Sequence, residues 1–232
     1  MLAGHLGIAL AASRVEPRIG LGVLAAASLL ADLLLWTLVL AGVEAVTIPA
    51  DFADARQPRF EFPVSHGLAA SIVWSVIAGA LAAAFVDAAA AARRRIALVV
   101  AATVLSHWLV DALVHRPELP LAGSGSALVG AGLWDHLPVA LGIEAAIVVA
   151  GMAAYFPARG MSPRRQAALA ALIVLVTLVT VAGMTLAPPP PSAAAMAGSS
   201  LATLLVVCIA IGWLDRARER EAPSTRVGAS AR

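Results

Sequence analysis

The stretch Ser106-His107-Trp108-Leu109-Val110-Asp111-Ala112-Leu113-Val114-His115 sets two imidazoles and a carboxylate at i, i+4 and i+8 of an apolar run. At 100° per residue these side chains fall within about 80° of one another, on one helix face. Imidazole nitrogens and carboxylate oxygens are the ligands that zinc and related divalent cations take. Other groups of the same chemistry are scattered through apolar sequence: His5, Asp32, His66 behind Ser65, His136 behind Trp134-Asp135, and Glu144, which is i+8 from His136. Ionisable groups inside apolar segments are costly unless they find partners, so each is a functional candidate by default.

The elements that must position them are membrane helices. Of 232 residues, 61% are hydrophobic, and the mean hydropathy is +0.90. Several windows reach the roughly 20 apolar residues that cross a bilayer core. These values predict an all-α, polytopic membrane bundle of about six transmembrane helices plus a short N-terminal half-helix. All basic residues are arginines in short clusters between apolar runs, so the isoelectric point near 9.5 reflects orientation charge and points to no nucleic-acid partner. The single cysteine, Cys208, excludes an intrachain disulfide and a multi-cysteine metal site. The first charges, Arg14 and Arg18, follow the first apolar stretch, the reverse of a cleaved signal peptide.

In chain order, residues 2–12 form an apolar segment covering roughly 16 Å, either interfacial or tucked into the bundle. Span one runs over 19–41 with Asp32, and span two over 64–91, opened by Ser65-His66 and ended by Arg93–Arg95. Span three (96–114) carries the opening motif, span four (138–156) carries Glu144, and spans five (167–187) and six (197–214) flank Pro188–Pro191. Residues 1–156 are thus expected to hold the site, 157–214 two further helices, and 215–232 a charged tail. Six crossings put every arginine except Arg56, Arg59 and Arg116 on one side, so the positive-inside rule predicts cytoplasmic termini in an inner membrane. Asp51, Asp54 and Glu61 read as a solvated loop, and Asp87 as a partner of Arg93–Arg95.

Counting depth from the nearest cytoplasmic arginine places Asp32, His107, Asp111 and Glu144 roughly 18–24 Å up, in one layer, with His5 just beneath. His66, His115 and His136 are expected at the outer rim, giving a ladder from an outer opening to a deeper site.

This layout resembles the predicted membrane-bound metal-dependent hydrolases, the YdjM-type inner-membrane proteins, which are distantly similar to zinc-dependent phospholipase C and P1-type nuclease. The resembling pieces are Gly4-His5-Leu6, Ala31-Asp32, Ser65-His66-Gly67-Leu68, and Ser106-His107 with Asp111, spread over residues 1–155. The resemblance implies metal ligation by His5, Asp32, His66, His107 and Asp111, with His115, His136 and Glu144 as further contributors. The family's span-one motif is commonly Pro-Asp-x-Asp, whereas here Leu30-Ala31-Asp32-Leu33-Leu34 offers one carboxylate.

The chemistry expected of such a site is metal-dependent hydrolysis, with zinc as the cation and Glu144 as general base when it is not a ligand. Membrane lipids or lipid-linked phosphates are the natural substrates and partners at that depth. The same Asp and His groups also fit a permease that moves an ion or proton, or a non-catalytic metal-binding membrane protein.

Overall fold

The computed structural model describes residues 2–52 and 57–216; Asp54, Arg56 and the tail 217–232 lie outside the described residues. It is an all-α bundle. The helices are α1 (Leu2–Val15), α2 (Leu21–Ser28), α3 (Leu30–Leu40), α4 (Leu68–Ala84), α5 (Ala90–Val114), α6 (Leu137–Arg159), α7 (Pro163–Thr185) and α8 (Ala193–Arg216). Two small antiparallel ribbons, β1 (Ala45–Thr47) with β2 (Arg59–Glu61) and β3 (Leu119–Pro120) with β4 (Leu128–Val129), lie in the polar connections after α3 and α5. A 3₁₀ turn, Leu133–His136, leads into α6.

Among the described residues, four helical segments are long and apolar enough to cross a membrane: Ala90–Val114, Leu133–Arg159, Pro163–Thr185 and Ala193–Asp215. α2 and α3 together make a fifth, bent by 59°. α4, with 17 residues, is shorter than these. Exposed Val, Leu and Ile residues line their outer faces, including Ile72, Val76, Val149, Leu178 and Ile209. That pattern suits helices whose surroundings are hydrocarbon, where apolar surface need not be hidden.

Three expectations change. Span one is not a continuous helix. It breaks at Leu29 (φ −107°, ψ 11°) with neither Pro nor Gly at the break. The Ser28 hydroxyl donates to the Ala25 carbonyl, and the Ser28 carbonyl accepts from the Nδ1 of His107, so the local ladder is diverted to side chains. Span two is shorter than 64–91, because Ser65 and His66 sit in a turn before α4 and Arg93–Arg95 belong to the start of α5. Asp87 is exposed, and Arg95 reaches Glu16 (3.3 Å) and the Val15 carbonyl (2.5 Å) instead.

The N-terminal segment enters the bundle. α1 buries eight of its 14 residues and packs along α6, where its length of about 21 Å runs beside more than half of that helix. Small residues make this approach possible: a Cβ on Gly7 would lie 2.6 Å from the Ile147 carbonyl oxygen, and Gly151 faces Gly7 across the seam. The start of α1 is held by Glu144, whose Oε1 accepts from the amides of Ala3 (2.8 Å) and Gly4 (3.1 Å). A carboxylate at a helix N-terminus satisfies two orphan donors and meets the positive end of the dipole.

Candidate metal centre

Four elements converge where α1, the α2–α3 break, the turn before α4 and the end of α5 meet. α5 supplies His107 and Asp111 from its buried face, together with Val100, Val104 and Trp108. His115 is the residue that ends α5; its backbone is extended (φ −64°, ψ 147°), yet its Nε2 stays 3.7 Å from Asp111 Oδ2. The break in span one makes Asp32 the third residue of α3, at the positive end of a half-helix. His66 comes from the turn before α4, and His5 from α1.

The donor atoms sit at ligand spacing. Atoms bound at about 2.0–2.1 Å around a tetrahedral zinc lie roughly 3.3–3.4 Å from one another. His66 Nε2 and His107 Nε2 are 3.3 Å apart, and Asp111 Oδ2 is 3.1 Å from His107 Nε2 and 3.6 Å from His66 Nε2. Asp32 Oδ1 is 3.6 Å from His66 Nε2 and 3.9 Å from His107 Nε2. Among the described residues, two overlapping groups bring possible ligand atoms within 4.8 Å of one another: His66 with His107 and Asp111, and His5 with Asp32 and His107.

The hydrogen bonds behind these atoms fix their chemistry. His107 Nδ1 lies 2.8 Å from the Ser28 carbonyl, which can only accept, so Nδ1 carries the proton. The Ser65 hydroxyl donates to Glu44 Oε2 (2.7 Å) and therefore accepts from His66 Nδ1 (2.8 Å). His115 Nδ1 donates to Glu118 Oε1 (2.6 Å). With Nδ1 of each ring committed, the Nε2 atoms of His66 and His107 face Asp111 and Asp32, and that of His115 faces Asp111. Either a proton or a metal cation on the Nε2 side satisfies this arrangement, and the cation can serve several of these atoms at once. Orienting partners of this kind, carbonyl or carboxylate behind Nδ1, are the usual support of metal-bound histidine.

His5 stacks on His107 (ring centroids 3.9 Å apart) and sets its Nε2 3.2 Å from Asp111 Oδ1, the oxygen facing away from the other three histidines. Its Nδ1 is buried and has no hydrogen-bond partner among the described residues. Phe62 packs on His66 and His115, Phe60 on His115, and Trp134 on His115 at 4.1 Å, so aromatic rings from the connections after α3 and α5 roof the cluster. Asp32 keeps 22% side-chain exposure, whereas His5, His66, His107, Asp111 and His115 keep 6% or less.

No protein-family model, curated protein or solved structure matches this chain. The chemistry of the site therefore rests on its own geometry.

The structure brings together His5, Asp32, His66, His107, Asp111 and His115, and puts Glu144 and His136 elsewhere. Glu144 belongs to neither ligand group and caps α1. His136 is exposed in the 3₁₀ turn, next to the ion pair of Arg116 with Asp135 (2.6 Å). The expected separation into a deep layer and a rim does not hold for His66 and His115, because their chain segments dip into the bundle. Sequence reasoning missed Glu44 and Glu118. Glu118 had a readable signal in its i+3 spacing from His115; Glu44, more than twenty residues before His66 in a polar loop, had none.

Two outcomes follow from these roles. Glu144→Ala should lower stability by about 1–3 kcal/mol, since it leaves two buried amides without an acceptor. Glu144→Gln keeps an acceptor and should retain both folding and metal. Thermal unfolding in detergent checks this, and loss of turnover with unchanged stability in Glu144→Gln would restore Glu144 as a base. Glu44→Ala and Glu118→Ala should each weaken metal affinity by about 10–100-fold, read by competition with a chromogenic chelator.

Proposed function

We propose that this chain is a metal-dependent hydrolase of the inner membrane, crossing six times with both termini cytoplasmic and holding a zinc-like divalent cation. One observation carries the reading: three histidine Nε2 atoms and two carboxylates converge within 3.1–3.9 Å of one another's nearest partners, each imidazole oriented from behind. His66, His107, Asp111 and Asp32 are the primary ligands; His115 and His5 border the same space. With neutral imidazoles the two carboxylates bring two negative charges, which a divalent cation balances. The resemblance to the YdjM-type hydrolases supports the same residues from the sequence side.

The six-crossing topology is supported by which loops meet. Arg95 contacts Val15 and Glu16, and Arg159 contacts Pro17, Ile19 and Asp215, so the arginine-rich segments share one end of the bundle. At the other end Glu44 holds Val64 and Ser65, and the Ala69 amide donates to the Leu121 carbonyl.

A bound divalent cation would supply Lewis acidity and a coordinated water of lowered pKa. The chain supplies the rest. Glu44, Glu118 and the Ser28 carbonyl fix the histidine tautomers, and the Phe60, Phe62 and Trp134 roof excludes bulk water, which strengthens every charge inside. Asp32, the exposed ligand, marks where a phosphoester or lipid-linked substrate meets the site. Ser65 is not a nucleophile in this scheme, because its hydroxyl is committed to Glu44. Chelator-stripped and zinc-reloaded protein should be compared on phosphodiester, phosphomonoester and carboxylic ester substrates. Turnover that returns with metal and is absent in Asp32→Ala supports the reading. Metal bound at full stoichiometry without turnover on any of them would leave a non-catalytic metal site.

A further inference from the structure

A second feature lies at the arginine-rich end, separate from the metal cluster and independent of it. Where the loop after α1 passes α2, α8 and the end of α6, a cavity of about 740 Å³ opens. Its polar end holds Arg18, 54% exposed at the side chain, and Arg159, buried to 5%. The Arg159 guanidinium donates through Nη1 to the Pro17 carbonyl (2.8 Å) and through Nη2 to the Ile19 carbonyl (3.4 Å), and pairs with Asp215 Oδ2 at 3.6 Å. Its Nε is buried with no hydrogen-bond partner among the described residues.

The acidic groups nearby are already engaged. Asp215 Oδ2 accepts from the Leu21 amide (2.7 Å) and Oδ1 from the Tyr155 hydroxyl (2.6 Å). Glu16 is buried between Arg18 and Arg95. Arg18 is the exposed cation at this end, and the buried guanidinium of Arg159 adds its charge beside it, which draws an anionic group to the cavity. Beyond this polar end the cavity walls are Val23, Ala26 and Ile209, and Trp213, 69% exposed, stands at the rim. A space this large with an apolar wall exceeds a free anion and matches an amphiphile; tryptophan is the residue that sits at headgroup level.

We propose that this cavity binds the phosphate of an anionic phospholipid, with Arg18 as the donor, the charge of Arg159 beside it, and the acyl chains along Val23, Ala26 and Ile209. The reading requires only that α2 and α8 lie in the membrane, so it stands or falls apart from hydrolysis.

The test uses full-length protein in phosphatidylcholine nanodiscs that carry a minor fraction of either brominated phosphatidylglycerol or brominated phosphatidylcholine. Trp213 emission is taken as the difference between wild type and Trp213→Phe. Brominated phosphatidylglycerol should quench Trp213 about fivefold more effectively than brominated phosphatidylcholine, the preference that one added cation contact provides. Arg18→Gln should bring the ratio close to one. Arg18 is exposed, so Arg18→Gln leaves the fold in place. Millimolar inorganic phosphate should leave the preference intact. Equal quenching by both lipids, or a preference unmoved by Arg18→Gln, overturns the proposal. Abolition by inorganic phosphate would assign the cavity to a free anion and overturn it equally.

Discussion

Replacing His107 and Asp111 together by alanine should reduce bound metal from about one ion per chain to background. His107 Nε2 and Asp111 Oδ2 are the closest facing pair in the cluster at 3.1 Å, and His107 belongs to both ligand groups. Of the four proposed primary ligands the double substitution leaves His66 and Asp32, too few for the four-coordinate closure of a structural zinc site. Single changes separate the causes. Asp111→Ala removes the carboxylate that His5, His66, His107 and His115 all face, so it should lower stability as well as metal content. Asp111→Asn keeps the shape and should lose metal while unfolding nearer the wild-type temperature. Elemental analysis of detergent-purified protein, beside thermal unfolding, reads both effects. Unchanged metal content in the double variant would remove the site from these residues.

Gly7→Val is expected to be the most damaging single apolar change. A Cβ at Gly7 would sit 2.6 Å from the Ile147 carbonyl oxygen and 2.9 Å from the Val148 Cα, both backbone atoms that no rotamer can move. Relief requires α1 to withdraw from α6. That movement takes Ala3 and Gly4 off Glu144 and His5 off Asp111, so a cavity-sized defect, lost caps and a broken ligand contact coincide. The expected loss is more than about 3 kcal/mol, beyond the usual range for overpacking, because the strain is against backbone. Cysteine accessibility offers a readout: a cysteine at Ala3, fully buried in the native bundle, should react with a membrane-permeant thiol reagent only in the Gly7→Val background. Wild-type stability with Ala3 still protected would show that α1 does not dock as described.

Much of the site was legible because its chemistry stands out against hydrocarbon-compatible sequence. His107 and Asp111 were readable as one face of a helix, and their meeting with Asp32 followed from counting rise per residue. His5 was readable as near that layer only if residues 2–12 entered the bundle, and the Gly7–Gly151 seam is what lets them enter. Depth counting failed for Glu144 for an instructive reason. It reaches the expected level but spends its carboxylate on the α1 amides, and nothing in residue type distinguishes a helix cap from a ligand. It failed for His66 and His115 because straight-helix arithmetic cannot foresee a turn that dips inward or a residue past a helix end that still faces its ligands. The break at Leu29 was equally hidden. No Pro or Gly announces it; the cause is the long-range bond from His107 to the Ser28 carbonyl, and that break is what places Asp32 at the start of α3.

The central claim is that one divalent cation is held by histidine Nε2 atoms and carboxylate oxygens at the junction of α1, α3, α4 and α5. X-ray absorption at the metal edge of the purified wild-type protein tests it most directly. The expected spectrum shows a nitrogen/oxygen shell at about 2.0–2.1 Å, the outer-shell scattering of at least two imidazoles, and no sulfur contribution. A metal without imidazole scattering, or protein that carries no metal above background after zinc reloading, would contradict it.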